Sequence, residues 1–443
     1  MMSGKTKNIA TNDAANDQSS EYVYSAVPQD KRKKLLSLTV VLAGYPIALS
    51  NFVIGGRVGV GLSFTDAMIS FLLGNVILIA IVIITGLFAF QTGLSTSVLS
   101  RRVFGSNGSN VFSILLAVSA VTWVATNGDI FARLIKQTFT WWPIPIPFTA
   151  VLVILLWMYS AIRGFKGLEM VSFLGVPAAI IMALWGVIAV YNYSNNFSGI
   201  TAYVPAEPIT IASATSQIIG GWIFGAVITP DVCRYAKKKS HVFVSGIVAF
   251  IIGCFGLQFA GALVALCTGS GDFVVAMTGI GLVYVAFICA IFCLWTTQQN
   301  NIYGASLALQ NLLSTTTLKG KFKHAPLAIG ISILAAIWAF LGIYNYLSPV
   351  ISALSVLFPP LPGMIIAEMV FVKSPQHERK LNSLALITWV IAGVAGTIAL
   401  RANFFIPPVV NLLTAAIVYT LLMKLFAPKH PKAESVEHST STV

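Results

Sequence analysis

The chain has 443 residues, 57% of them hydrophobic and only 9% charged, where a soluble domain carries about a quarter charged residues; a soluble globular protein is excluded. The net charge of +13 would suit a nucleic-acid binder, but the positive residues are spread between long apolar runs, so no nucleic-acid partner is expected. Five cysteines, at 233, 254, 267, 289 and 293, lie in or at the ends of apolar runs, with neither metal-ligand spacing nor a disulfide framework.

Residues 1–30 are polar, rich in Asn, Ser and Asp, and lack an apolar core; they read as a disordered tail and not as a signal peptide. Apolar runs of about twenty residues then recur, the pattern of an all-α integral membrane protein. Twelve transmembrane helices are expected, at roughly 35–56, 66–90, 111–136, 146–163, 170–192, 212–235, 242–267, 280–313, 326–345, 349–371, 382–400 and 405–426. The stretch 427–443 reads as a second disordered tail. The longest external connection is 193–211, and no soluble domain interrupts the spans. With an even number of spans and an internal N-terminus, only Arg57, Arg133, Lys136 and Arg401 fall outside, leaving 23 of the 27 Lys and Arg inside. This asymmetry predicts a multi-pass plasma (inner) membrane protein, in contact with membrane lipid, with both termini cytoplasmic. On this topology all five histidines, at 241, 324, 377, 430 and 438, fall in cytoplasmic segments.

The first span carries Gly44 and Pro46 near its centre, in "AGYPIALSN". The sixth carries Gly220, Gly221 and Gly225, in "IIGGWIFGA". Proline removes a backbone donor and glycine loosens the helix, which lipid tolerates only where the freed groups face protein or a cavity. Discontinuous helices 1 and 6 are therefore expected. Five spans apart, they cross the membrane in opposite directions, the arrangement of two inverted five-helix repeats with a site between them. Repeat one would cover about 35–192 and repeat two about 212–371, with peripheral helices over about 382–426. No G-x-x-x-x-G-K-[ST] motif is present, so active transport would draw on an ion gradient.

In the third span Asp129 and Arg133 form an i,i+4 pair, read as structural, with proton coupling or gating the functional alternative. In the eighth span the stretch "LWTTQQNNIYG" places six polar residues in a row, Thr296 to Asn301. Cys293, Thr296, Thr297, Asn300 and Asn301 share one helical stripe. Two threonine hydroxyls and the Cys293 carbonyl offer three oxygens to a small cation, and the loosened backbone at Gly44 and Ile47 offers two more. Five oxygens without a carboxylate suit a monovalent ion. The plainer alternative is that the threonines bond back to their own helix and the amides join neighbouring helices.

These residues resemble the nucleobase–cation symporter-1 family, nearest its bacterial cytosine permeases. The resemblance covers about 31–426 and is strongest in "GVGLSF" (59–64), "TGLST" (92–96), "TPDVCRY" (229–235), "WTTQQNNIYGASL" (295–307) and "FPPLPGMIIAE" (358–368). It implies the inverted-repeat fold and import of a nucleobase or related planar cyclic amide, often with sodium. It assigns sodium to the carbonyls of Gly44, Ile47 and Cys293 and the hydroxyls of Thr296 and Thr297, and sandwiches the ring between Trp123 and Trp222. Cytosine permeases have an asparagine at the place of Cys293 and serines around Gly221 and Phe224. The Gly221–Trp222 pair and Asn127 are similar to hydantoin transporters, and Gln298 holds the place of the substrate-binding side chain of span 8. The resemblance thus implies a ring read by Trp123, Asn127, Gly221, Trp222 and Gln298. Asp231, Arg234 and Glu368 look like structural or gating residues of the family.

The expected function is a secondary active transporter of the cytosine or purine permease type, coupled to sodium in preference to protons. The alternative is a proton-coupled transporter of hydantoin- or allantoin-like rings. A membrane enzyme would show His or carboxylate clusters in the spans, and a passive channel would not need broken helices. No catalytic residue, resident cofactor or obligate protein partner is evident in the sequence.

Overall fold

The computed structural model describes residues 22, 25–194, 196–373 and 379–426. Most of the two tails read at 1–30 and 427–443 lies outside the described residues, as do His377, His430 and His438. The described chain is helical, with one isolated bridge between Lys33 and Ala236. In order the helices are α1 (Leu35–Ala43), α2 (Leu49–Val60), α3 (Phe64–Thr92), α4 (Thr96–Phe104), α5 (Ser109–Thr138) and α6 (Ile146–Ala161). There follow α7 (Phe165–Tyr193), α8 (Ile211–Ile228), α9 (Pro230–Cys233), α10 (Lys239–Val248), α11 (Leu257–Thr268) and α12 (Phe273–Gly279). The last six are α13 (Val283–Leu313), α14 (His324–Phe340), α15 (Leu347–Leu357), α16 (Pro360–Ala367), α17 (Ser383–Arg401) and α18 (Pro407–Phe426).

Among the described residues eight helices are long and apolar enough to cross a membrane, and α6 and α14 are shorter apolar helices. The most apolar stretches of α5 and of α8–α9 are 78% buried, whereas those of α17 and α18 are only 28% and 22% buried. The first pair therefore forms the centre and the second pair the periphery. Large apolar side chains such as Leu72, Leu156, Leu174, Val390 and Ile417 point outward, as a lipid-facing surface requires.

The first expected break is present. Between α1 and α2 the chain leaves the helix at Gly44–Ala48, where Pro46 has no N–H. Asn51 Nδ2 reaches back to donate to the Pro46 carbonyl at 2.6 Å. A π-helical stretch, Ala249–Gly256, joins α10 to α11 and packs against this break. A Cβ on Gly253 would come within 2.7 Å of the Pro46 ring, so only glycine admits the proline there.

The second expected break is corrected. α8 runs unbroken through Gly220, Gly221 and Gly225, and the helix yields only at Thr229–Pro230. The three glycines permit close packing instead. A Cβ at Gly220 would lie 2.9 Å from the Ile351 carbonyl, one at Gly221 would collide with Ile54, and one at Gly225 would lie 2.6 Å from the Trp222 ring. A further interruption, at Phe358–Pro359 between α15 and α16, follows from the paired prolines.

Candidate substrate and cation site

α13 packs chiefly on α5 and α7 and carries the whole polar stretch inward: Thr296 to Asn301 are all buried. The Thr297 hydroxyl lies 3.2 Å from the Gly44 carbonyl oxygen, 2.6 Å from that of Ile47 and 3.1 Å from that of Cys293. A hydroxyl has one proton to donate. Three carbonyl oxygens converging on it leave lone pairs aimed at one small volume, a donor set that fits a monovalent cation. Thr296 borders the same place, since a Cβ on Gly44 would approach its Oγ1 to 2.5 Å. Its hydroxyl is shared with Ser172 of α7 at 2.6 Å. Ser172 was not singled out in the sequence; a lone serine in an apolar helix carries no signal of its own.

Next to this cluster is a cavity of about 10 Å³ lined by Ser50, Trp123, Asn127, Gly221, Trp222, Phe224, Gly225, Thr297 and Asn301. That is space on the scale of one water molecule, so the site is closed down and must widen to admit a ring. Four expected ring contacts, Trp123, Asn127, Gly221 and Trp222, line it together. Trp123 and Trp222 are both buried, and Trp222 lies back over Gly225 of its own helix. Trp222 Nε1 and Asn127 Oδ1 are buried with no hydrogen-bond partner among the described residues, so a donor and an acceptor stand ready for a polar ring edge. Asn127 Nδ2 is occupied by the Trp123 carbonyl at 2.8 Å.

Gln298 is not part of the cavity wall. Its Oε1 accepts from Asn301 Nδ2 at 3.0 Å, and Asn301 faces the cavity in its stead. Asn301 sits four residues after Thr297, on the same stripe, so helical spacing already carried that signal. Thr297 borders both the carbonyl cluster and the cavity, the direct physical link between them.

Each charged residue singled out in the sequence has a partner. Arg133 Nε meets Asp129 Oδ1 at 2.5 Å. Asp231 Oδ1 accepts the Thr96 N–H at 2.7 Å at the start of α4. Arg234 donates to the Tyr303 hydroxyl at 3.2 Å and to the Tyr22 carbonyl at 2.8 Å. Tyr419 donates to Glu368 at 2.8 Å, tying α18 to the end of α16.

Residues 26–414 match the model of a family described as permeases for cytosine/purines, uracil, thiamine and allantoin. The cytosine permease of Escherichia coli strain K12 is 27% identical over 429 residues, covering 95% of this chain and all of that one. The hydantoin permease of Microbacterium maritypicum is 22% identical over 450 residues, covering 90% of this chain and 88% of its own. Among solved structures, the nucleobase-cation-symport-1 transporter Mhp1, closed with bromovinylhydantoin bound, superposes with a TM-score of 0.75 at 15% identity, covering 90% of this chain and 94% of that one. Mhp1 facing inward superposes with a TM-score of 0.73 at 18% identity, covering 90% and 92%. The all-helical fold is thus that of Mhp1, and the chain belongs to the nucleobase–cation symporter family of membrane permeases.

Proposed function

We propose that this protein imports a nucleobase or related planar cyclic amide across the plasma membrane by cation symport and alternating access. Twelve helices, built as two inverted five-helix repeats plus a peripheral pair, would cross the membrane with both termini cytoplasmic. Trp123 and Trp222 clamp the two faces of the ring, and Asn127 and Asn301 read its edge, with Gln298 orienting Asn301. Sodium is the coupling ion, held by the carbonyls of Gly44, Ile47 and Cys293 and by the hydroxyls of Thr296 and Thr297. One observation carries this reading: Thr297 both gathers the three carbonyls and walls the cavity flanked by the two tryptophans. Sodium is favoured over the proton because Asp129, the carboxylate nearest the clamp along α5, is already engaged by Arg133. Cytosine and hydantoin both suit the stacked clamp. Phe224 and Gly221 in the wall offer no side-chain hydrogen bond, so the ring edge is left to Asn127 of α5, Asn301 of α13 and Trp222 Nε1 of α8.

The test is a thermal-shift screen of the purified protein with cytosine, uracil, adenine, hypoxanthine, hydantoin and allantoin, each with and without sodium. A ring binding only the folded state at a hundred times its Kd stabilises by about 2.7 kcal/mol. One or more rings are expected to raise Tm, and by more with sodium. Replacing Trp123 or Trp222 by Ala removes one stacking face and costs about 1–3 kcal/mol of binding, roughly 5- to 150-fold. Unchanged affinity in both variants would refute the clamp, and no shift with any ring would refute the substrate class.

A further inference from the structure

A larger cavity, of about 250 Å³, lies further along the helices that wall the small one. α5 lines the small cavity with Asn127 and the large one with Ile130 and Arg133, one and nearly two turns later; α2 does the same with Ser50 and Val53. The two cavities are stacked along the same pair of helices. The far wall is formed by Asp272 and Phe273 at the start of α12 and by Tyr344.

This cavity has the chemistry of a ring site. Arg133 is fixed on two sides: its Nε is bound to Asp129 at 2.5 Å, and its guanidinium carbon lies 4.8 Å from the centre of the Tyr344 ring. Its side chain keeps 38% exposure, and its Nη atoms make no hydrogen bond among the described residues. A planar donor pair is therefore held beside an aromatic face with its outer edge open. Phe273, set edge-on to Phe52 at 5.1 Å, adds a second aromatic wall. The Asp272 carboxylate caps α12 through Oδ1 and supplies an acceptor. Donors for a carbonyl, an acceptor for a ring N–H and an aromatic face together match one edge and one face of a cyclic amide.

The placement of charge points the same way. On the proposed topology only four Lys and Arg lie outside, and two of them, Arg133 and Lys136, line this one cavity. Lys136 is tethered to the Trp142 carbonyl at 2.5 Å, which leaves Arg133 as the group presented to a ligand.

We propose that this cavity is a second, outer binding site for the same class of uncharged planar cyclic amide, an entry station where Arg133 and Tyr344 hold the ring before the tryptophan clamp opens. The proposal rests on the transporter reading above. Where its contacts persist as the ring passes inward, a station on the path lowers the barrier from both sides, so it speeds association and dissociation by the same factor and leaves the clamp's equilibrium affinity unchanged.

The experiment is stopped-flow tryptophan fluorescence with cytosine and with hydantoin, on the full-length protein in saturating sodium. Tyr344→Ala leaves the buried Asp129–Arg133 pair in place, and Arg133→Lys keeps the charge but loses the planar fork. Both variants are expected to lower the association and dissociation rate constants together, about fivefold or more, with the equilibrium affinity unchanged. If Tyr344 and Arg133 formed only a latch, loosening it would speed entry. An association rate that rises or stays the same in both variants overturns the outer site and leaves the clamp standing. A wild-type protein that binds neither ring overturns the transporter reading and the outer site together.

Discussion

At the scale of the residue, Thr297 borders both the carbonyl cluster and the small cavity. Its hydroxyl faces three carbonyl oxygens at 2.6–3.2 Å, and its other flank walls the cavity. A bound cation would pull the Gly44–Ile47 backbone and α13 together and fix the wall against which the ring sits. Coupling of this kind would be reciprocal: a sodium ion bound there would tighten the ring by the factor that the ring tightens sodium. Thr297→Val keeps the shape and removes one of five oxygens. We expect it to weaken sodium about tenfold or more, while ring affinity at saturating sodium changes less. Thr297→Ser should restore the wild-type response. A sodium titration of the thermal shift reads this directly, and an unchanged half-saturation in the valine variant would show that the cation binds elsewhere. The neighbouring amides separate by the same logic. Asn301→Ala removes a wall contact and should cost about 1 kcal/mol of ring binding. Gln298→Ala acts only through Asn301 and should cost less. The reverse order in a competition assay would return the edge contact to Gln298.

At the scale of the element, the glycines of α8 set where Trp222 can lie. Gly225 leaves room for the indole to fold back on its own helix, and a Cβ there would stand 2.6 Å from the ring. Gly225→Ala should push the indole into a cavity that holds only about 10 Å³, an overpacking cost of about 1–3 kcal/mol. The expected result is weaker ring binding with a lowered Tm, and shortening Trp222 as well should restore the Tm but not the ring affinity. Gly220→Ala should lower Tm for another reason: its Cβ would meet the Ile351 carbonyl at 2.9 Å, and backbone cannot step aside. Native ring affinity in Gly225→Ala would show that the indole has another resting place. This helix also marks the limit of what the sequence could disclose. Gly44 and Pro46 together signalled a true break, where proline alone does not decide, since Pro177 lies inside the unbroken α7. Gly220, Gly221 and Gly225 gave the same apparent signal for another reason, since glycine serves close approach as readily as a loosened backbone, and only the neighbours Ile54, Ile351 and Trp222 decide between the two. The meeting of Thr297 with the Gly44, Ile47 and Cys293 carbonyls was legible because these groups come from one helical stripe and one break. Ser172 was not, because nothing in its own segment points to a partner 124 residues away.

At the scale of the whole molecule, the placement of positive charge predicts the orientation on which the proposed outer cavity depends. The basic segment at 31–34 is not loose. Arg32 donates to the carbonyls of Phe90 and Ala236 at 3.1 and 3.3 Å, the Lys33 N–H donates to the Tyr235 carbonyl at 2.6 Å, and Lys33 Nζ pairs with Glu169 at 2.8 Å. These contacts gather the end of α3, the stretch after α9 and the start of α7 around the most basic stretches of the chain, including Lys237 to Lys239. Arg133 and Lys136 belong instead to the far end of α5, beside Tyr344 and α12. Translocation disfavours Lys and Arg in short loops, so the end carrying 31–34 and 237–239 is expected to be the cytoplasmic one. The check is single-cysteine labelling in intact cells with a membrane-impermeant reagent. Four of the five native cysteines are buried and Cys267 is half-buried, so Cys267→Ser gives a quiet background. Cysteine at Val204, which is 81% exposed in the connection between α7 and α8, should label from outside. Cysteine at Lys238 should label only after the cells are opened. Labelling at 238 in intact cells would invert the molecule and put the Arg133 cavity on the cytoplasmic side, where it could no longer receive a ring arriving from the medium.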